Sequence, residues 1–407
     1  MKSLHSFLFC FLVFNTLSTY SQNEKPKEFK VQFEKFTLKN GLQVILHVDR
    51  SDPVVAVALT SHVGSARENV GRTGFAHLFE HLLFLESENL GKGGLDKMSA
   101  RIGGEGANGS TSRDRTNYYQ TVPKDALEKM IWAEADKLGY FINTVTEPVL
   151  AKEKQVVKNE KRQSYDNKPY GHTFSVISSN LYPSTHPYNW DVIGSLEDLQ
   201  NATLEDVKNF YKRWYVPNNV TLTIAGDFDV TQTKKWVEKY FGEIKRGEAI
   251  PKMEKQSVTL SETKKLYYED NFARLPQLTL TWPSVYEYHP DSYALEVLAS
   301  YISKGKKAPL YKTLVEDKKL TDQIDVFQYN SELAGQFMLS VTAFDKTHLA
   351  DVLNGVNEAF KNFEAKGISQ QDLNRIKAGQ ETAFYTKLSS VLGKGFQLAQ
   401  YEIFAGN

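Results

Sequence analysis

The 407-residue sequence has a single cysteine, Cys10, and it lies in an apolar stretch near the N-terminus. The rest of the chain has no thiol, which excludes a disulfide framework and a thiolate metal site. Net charge is also missing: 49 Lys and Arg balance 49 Asp and Glu. A neutral chain has no global field to draw nucleic acid or an anionic membrane, so electrostatics identify no partner. The glycine-rich stretch over 91–109 lacks the Lys-Ser/Thr step of a phosphate loop and shows no helix signal. What is present at the start is a targeting segment. Lys2 precedes the apolar run 7–14, and Thr19-Tyr-Ser21 offers small residues before Gln22. Residues 1–21 therefore read as a secretory signal peptide. The run is short for a bilayer span, and an uncleaved anchor is the alternative. An exported chain without disulfides suits a bacterial periplasm or exterior.

The strongest chemical signal is His77-Leu-Phe-Glu-His81. Phe75, Ala76, Leu78, Phe79, Leu82, Leu83 and Phe84 surround it, a pattern that predicts a buried helix. On such a helix His77 and His81 lie one turn apart on one face, so both rings reach a single metal ion. Glu80 sits beside them, where its carboxylate reaches a water at the metal. Burying these groups without partners costs roughly 2–7 kcal/mol for each neutral polar group and more for a charge. A metal ion would satisfy them. The spacing HxxEH is the inverse of the HExxH zinc-peptidase signature.

A catalytic zinc site needs a third protein ligand and an open position. A second predicted helix over 148–165 carries Glu153 and Glu160, seven residues apart, so both carboxylates project from one face. The residues alone do not choose between them.

Taken together, these segments resemble the pitrilysin/insulinase family of zinc metallopeptidases, which includes the mitochondrial processing peptidases. Upstream, Leu38-Lys-Asn-Gly-Leu-Gln-Val-Ile-Leu46 and Gly64-Ser-Ala-Arg-Glu68 are similar to the family's first strand pair and its lead-in to the zinc helix. Downstream, Asn117-Tyr118, Tyr215-Val-Pro-Asn-Asn219 and Ala225-Gly-Asp227 follow in the family's order. The resemblance makes Glu160 the third ligand of one Zn2+ per chain, with Glu153 a nearby carboxylate that orients or tunes the site. It implies an endopeptidase acting on unfolded peptides or oligopeptides, with Glu80 as general base on a metal-activated water. It also implies that Asn108 and Gly109 belong to an edge strand that accepts the substrate, Gly109 standing where the family usually has Ala.

The same resemblance implies an α+β fold: a duplicated αβ unit, each copy a mostly antiparallel sheet covered by helices. Strands are expected over 33–37 and 42–48 with an Asn40-Gly41 hairpin turn, then over 54–63, 116–122 and 220–225. Helices are expected over 126–141, from Thr203 through Trp214, and over 236–241. His62 reads as structural or exposed, and His186 as structural. The N-terminal unit spans 22–245, a polar linker 246–264, and a second unit 265–407. The second unit is expected to hold strands at 265–268, 278–282 and 337–342 and helices at 291–302, 347–363 and from Ser369 onward. It has no HxxEH, so one metal site is expected. The family continues further at this end and draws an Arg and a Tyr from its other half; here Val315 and Asp322 fall at those places. A second homologous half, or a homo- or heterodimer partner, is therefore expected. The alternative is a non-catalytic or half-site subunit of the same fold.

Overall fold

A computed structural model describes residues 29–105 and 107–406. The expected signal peptide lies outside them. From Phe33 onward the described residues pack as one unit, built on two sheets.

The first sheet has six strands: β1 (Glu34–Thr37), β2 (Gln43–Val48), β3 (Val54–Ser61), β4 (Asn108–Thr111), β5 (Thr116–Pro123) and β6 (Val220–Gly226). Their order is β1-β2-β6-β3-β5-β4, parallel only between β2 and β6. The β1–β2 turn follows the Asn-Gly signal: Gly41 has φ +94°, and Asn40 Nδ2 donates to the carbonyls of Phe241 and Ile244. A β-carbon on Gly41 would lie 2.7 Å from Asn218 Cβ, so only glycine fits. β3 and β6, the β-branched runs, are buried along almost their whole length, as strands inside a two-sided sheet must be.

Eight helices accompany this sheet: α1 (Phe75–Leu85), α2 (Gly94–Ile102), α3 (Leu127–Tyr140), α4 (Glu147–Lys161), α5 (Thr173–Leu181), α6 (Leu196–Asn201), α7 (Leu204–Trp214) and α8 (Val230–Phe241). Val55, Val57 and Leu59 of β3 share one core with Leu78, Phe79 and Leu82 of α1, Leu138 of α3 and Val237 of α8. Each such buried side chain contributes about 1.5–3 kcal/mol. Thr203 and Asp206 form the capping box that starts α7.

The second sheet has the order β7-β9-β8, with β7 (Gln277–Ser284), β8 (Thr321–Asn330) and β9 (Gly335–Ala343). Four helices belong to this part of the chain: α9 (Pro290–Ser303), between β7 and β8, and α10 (Leu349–Lys366), α11 (Gln370–Lys387) and α12 (Val391–Phe404) after β9. The pairing β7-β9-β8 repeats β3-β5-β4 of the first sheet, and α9 follows β7 as α1 follows β3. Helices and sheets together make the expected α+β fold.

Several local expectations are corrected. The glycine-rich stretch contains α2, whose ends are both glycines at positive φ, Gly93 and Gly103. Its Leu95, Met98 and Ile102 supply a short helical stripe that the flanking glycines masked. Residues 265–268 form no strand, since no neighbour offers them a ladder. β8 was not anticipated, because its apolar residues are spread among Asp322, Gln323, Asp325 and Gln328. The long helix from Ser369 breaks at 388–390, where Ser390 caps α12 by accepting from the Gly393 amide. The helix at 236–241 begins earlier, at Val230, capped by Asp229.

Candidate metal centre

α1 begins at Gly74, which has φ +88° and no side chain to cap the helix. A β-carbon there would lie 2.7 Å from the Ile193 carbonyl oxygen. The free first-turn amides are satisfied from outside. Glu68 Oε2 accepts from the Gly74 amide at 3.0 Å and Oε1 from the Ala76 amide at 2.8 Å. Trp190 Nε1 also donates to Glu68, at 3.1 Å. Burial pushes the Glu68 carboxyl up to about 8 against these three donors. Glu68 therefore anchors the start of the helix. In the sequence, Glu68 is marked only as the last residue of Gly64-Ser-Ala-Arg-Glu68.

The helix presents His77 and His81 side by side, ring centroids 4.8 Å apart. α4 crosses them with both glutamates. His81 Nδ1 lies 3.1 Å from Glu153 Oε1, and His81 Nε2 lies 3.1 Å from Glu160 Oε2. His77 Nε2 is 3.7 Å from Glu160 Oε1. Ligand atoms of His77, His81 and Glu160 all lie within 4.8 Å of one another. Glu153 is 4% exposed and reaches only the far nitrogen of His81, whereas Glu160 faces both rings. Geometry thus separates two carboxylates that spacing alone left equivalent.

This donor set fits a cation. Burial, with His81 nearby, pushes His77 down to about 4, so its ring is neutral near pH 7. Burial also works against a charge on His81. The hydrogen bond to Glu153 and the carboxylates of Glu160, Glu153 and Glu80 outweigh it and raise His81. The contact of Nδ1 with Glu153 turns the other ring nitrogen, Nε2, toward Glu160. His77 Nδ1 is buried with no hydrogen-bond partner. Two ring nitrogens and a carboxylate oxygen converge within 4.8 Å of one another, and two His with one carboxylate is a zinc donor set.

Glu80, on the same turn, is half-buried, and burial raises its carboxyl above the ordinary value. Its Oε2 accepts from Thr111 Oγ1 at 2.6 Å. Thr111 closes β4, the edge strand of the first sheet. Asn108 and Gly109 begin that strand. Asn108 is exposed, and its Oδ1 accepts from the Gly109 amide at 2.8 Å. All seven residues singled out from sequence therefore lie on α1, α4 or β4. Thr111, Glu68 and Arg115 were missed. Arg115 Nη1 donates to the Ser110 carbonyl at 3.0 Å and braces the edge strand.

Outside the site, His62 pairs with Glu332 at 2.7 Å, and His186 Nε2 meets the Gln256 carbonyl oxygen at 3.0 Å. Both are structural contacts.

An HxxEH helix, a glutamate helix packed on it and a mixed sheet with the edge strand β4 beside them define a zinc-metallopeptidase architecture. Residues 43–188 match the family described as Insulinase (Peptidase family M16), and residues 201–380 match Peptidase M16 inactive domain. The chain belongs to this pitrilysin/insulinase family of zinc proteases. The zinc protease PqqE of Helicobacter pylori is 30% identical over 378 residues, covering 92% of this chain and 83% of that protein. The crystal structure of a protease from Helicobacter pylori superposes with a TM-score of 0.84 at 28% identity, covering 92% of this chain and 90% of that one. The periplasmic protease PqqL from Escherichia coli shares the fold, with a TM-score of 0.73 at 18% identity over 93% of this chain and 43% of that one. His77, Glu80, His81, Glu153 and Glu160 all fall within 43–188, outside the stretch that matches the inactive domain.

Proposed function

We propose that the chain is a zinc-dependent endopeptidase that hydrolyses unfolded peptides or oligopeptides. The observation that carries this reading is the convergence of His77 Nε2, His81 Nε2 and Glu160 beside a raised Glu80 carboxyl. His77, His81 and Glu160 would hold one zinc ion. When bound, zinc supplies a Lewis acid that polarises the scissile carbonyl and acidifies water. Glu153 accepts the His81 Nδ1 proton and fixes the ring's tautomer and tilt. Glu80 takes a proton from the attacking water and returns it to the leaving amine. The unpaired backbone groups of β4 align a peptide as an added strand, with Asn108 and Gly109 at its start. Recognition by backbone alone suits unfolded substrates of varied sequence.

The proposed organisation is an N-terminal unit, a linker over 246–264 and a second unit without a metal motif. The matching strand orders of the two sheets support it. A second homologous half or a partner subunit would complete substrate binding. The supporting observation is that Val315 lies in a π turn and Asp322 on β8, where the resemblance expects an Arg and a Tyr. Residues 1–21 support export to the periplasm or exterior. No helix among the described residues is long and apolar enough to cross a membrane.

The test is Glu80→Gln, assayed for cleavage of a mixed peptide library and for bound zinc. Lost cleavage with zinc retained is the expected result. Retained cleavage would remove Glu80 from its role, and loss of zinc would make it a ligand instead.

A further inference from the structure

We infer that Thr111 positions the Glu80 carboxylate and keeps it out of the metal's ligand set. This rests on the reading of Glu80 as the base. Glu80 immediately precedes His81, and its flexible chain gives the carboxylate a short path to the His77, His81 and Glu160 cluster. A carboxylate so placed would ordinarily join a divalent cation as a further ligand, closing the open position that catalysis needs. Among the described residues the ligand atoms that converge belong only to His77, His81 and Glu160. Glu80 stands aside because β4 holds it. Thr111 Oγ1 donates to Glu80 Oε2 at 2.6 Å.

The rest of the strand is shaped to this contact. Thr111 and Gly109 are two residues apart and face the same side of the sheet. A β-carbon built on Gly109 would lie 3.2 Å from Glu80 Cγ and 3.1 Å from Phe84 Cε2. The Glu80 chain therefore lies over bare backbone at 109 while its carboxylate reaches 111. β5 fixes the strand to the helix. Gly109 pairs with Tyr118, whose hydroxyl donates to the Phe79 carbonyl at 3.2 Å, one residue before Glu80. Thr111 pairs with Thr116, whose hydroxyl donates to the Val63 carbonyl at 2.8 Å. The strand that would align the peptide thus also sets the base, from a backbone tied to the helix through its neighbour β5.

Thr111→Ser and Thr111→Ala test this as a pair, because they differ by one hydroxyl at equal bulk. Serine should retain kcat within about threefold of the parent, and alanine should lower it about tenfold or more with KM within about twofold. Zinc release to a chelator is the second readout. Alanine frees Glu80 to ligate, so release should slow about tenfold, and the slowing should vanish in Thr111→Ala/Glu80→Gln. Equal kcat for the serine and alanine variants overturns the inference. Zinc release unchanged by Thr111→Ala overturns it as well. If Glu80→Gln alone retains turnover, the base assignment fails, and zinc release still reports separately whether Thr111 restrains the carboxylate.

Discussion

Two segments of this chain share an order and a pairing, and only one carries the HxxEH segment. β3, α1, β4 and β5 flank the candidate metal centre, whose donors come from α1 and α4; β7, α9, β8 and β9 repeat that order of strands and helix without an HxxEH segment. α9 occupies the place of α1 but offers Tyr293, Glu296 and Ser300 and no histidine. The sheets also differ in cover. Every residue of β6 is buried, whereas no residue of β7 is. The first sheet is packed in front by α1, α3 and α8 and behind by α12, where Ala56, Ala225 and Val391 form their own cluster. A site that must hold three donors in register needs side chains locked on both sides. The first sheet provides that along its inner strands; in the second, the central strand β9 is largely buried but the edge strand β7 is not.

The contrast can be broken most severely at the ligands. His81→Ala should abolish bound zinc and cleavage together, while Glu296→Gln on α9 should change neither; metal analysis of both purified variants checks this. Core truncation gives a graded version. Leu222→Ala on β6 should cost about 3–4 kcal/mol in denaturant unfolding, and Leu280→Ala on β7 about half as much, because only the first opens a cavity in a closed core. Equal losses would remove the claimed difference in cover.

The joint between the two regions carries a pH signature. Glu332, in the β8–β9 turn, is held by Arg67 at 2.8 Å and His62 at 2.7 Å from the first half. Burial opposes its charge, but these partners outweigh burial and hold the carboxyl down to about 2. A carboxyl depressed on folding adds stability above its unfolded value near 4.5, and the gain is lost as pH falls through the folded value. Unfolding at pH 7 should therefore show a contribution of up to about 3 kcal/mol that Glu332→Gln removes. Below pH 2 the two proteins should converge. The smallest effect concerns α12. A β-carbon on Gly395 would meet Thr223 Cγ2 at 3.6 Å and Ala225 Cβ at 3.9 Å, ordinary contacts. Gly395→Ala should raise stability by about 0.5–1 kcal/mol, since the helix loses less backbone entropy. A loss of stability instead would mean that α12 sits closer to the sheet than this.

Much of this was legible in one dimension, because the signals are local. The i,i+4 histidines, the Asn40-Gly41 turn, the β-branched runs of β3 and β6 and the Thr203 capping box each act within a few residues. α2 escaped because two glycines dilute a helix of nine residues, and β8 because its apolar residues are scattered. The expected strand at 265–268 failed for a different reason: a strand exists only where another strand pairs with it, and its residues cannot report that absence.

The sequence alone determined the donor types, their spacing on α1 and the class of chemistry, since helical periodicity places His77 and His81 together wherever α1 is put. Tertiary structure decided the rest. The crossing of α4 over α1 gave Glu160 to both rings and Glu153 to one far nitrogen, a choice that two glutamates seven residues apart do not contain. Pairing of β4 with β5 brought Thr111 to Glu80 across 31 residues of chain, and folding returned α12 to cover the back of β3 and β6. Those contacts join residues far apart in the chain. Their geometry depends on the packing of whole elements, which no local pattern encodes.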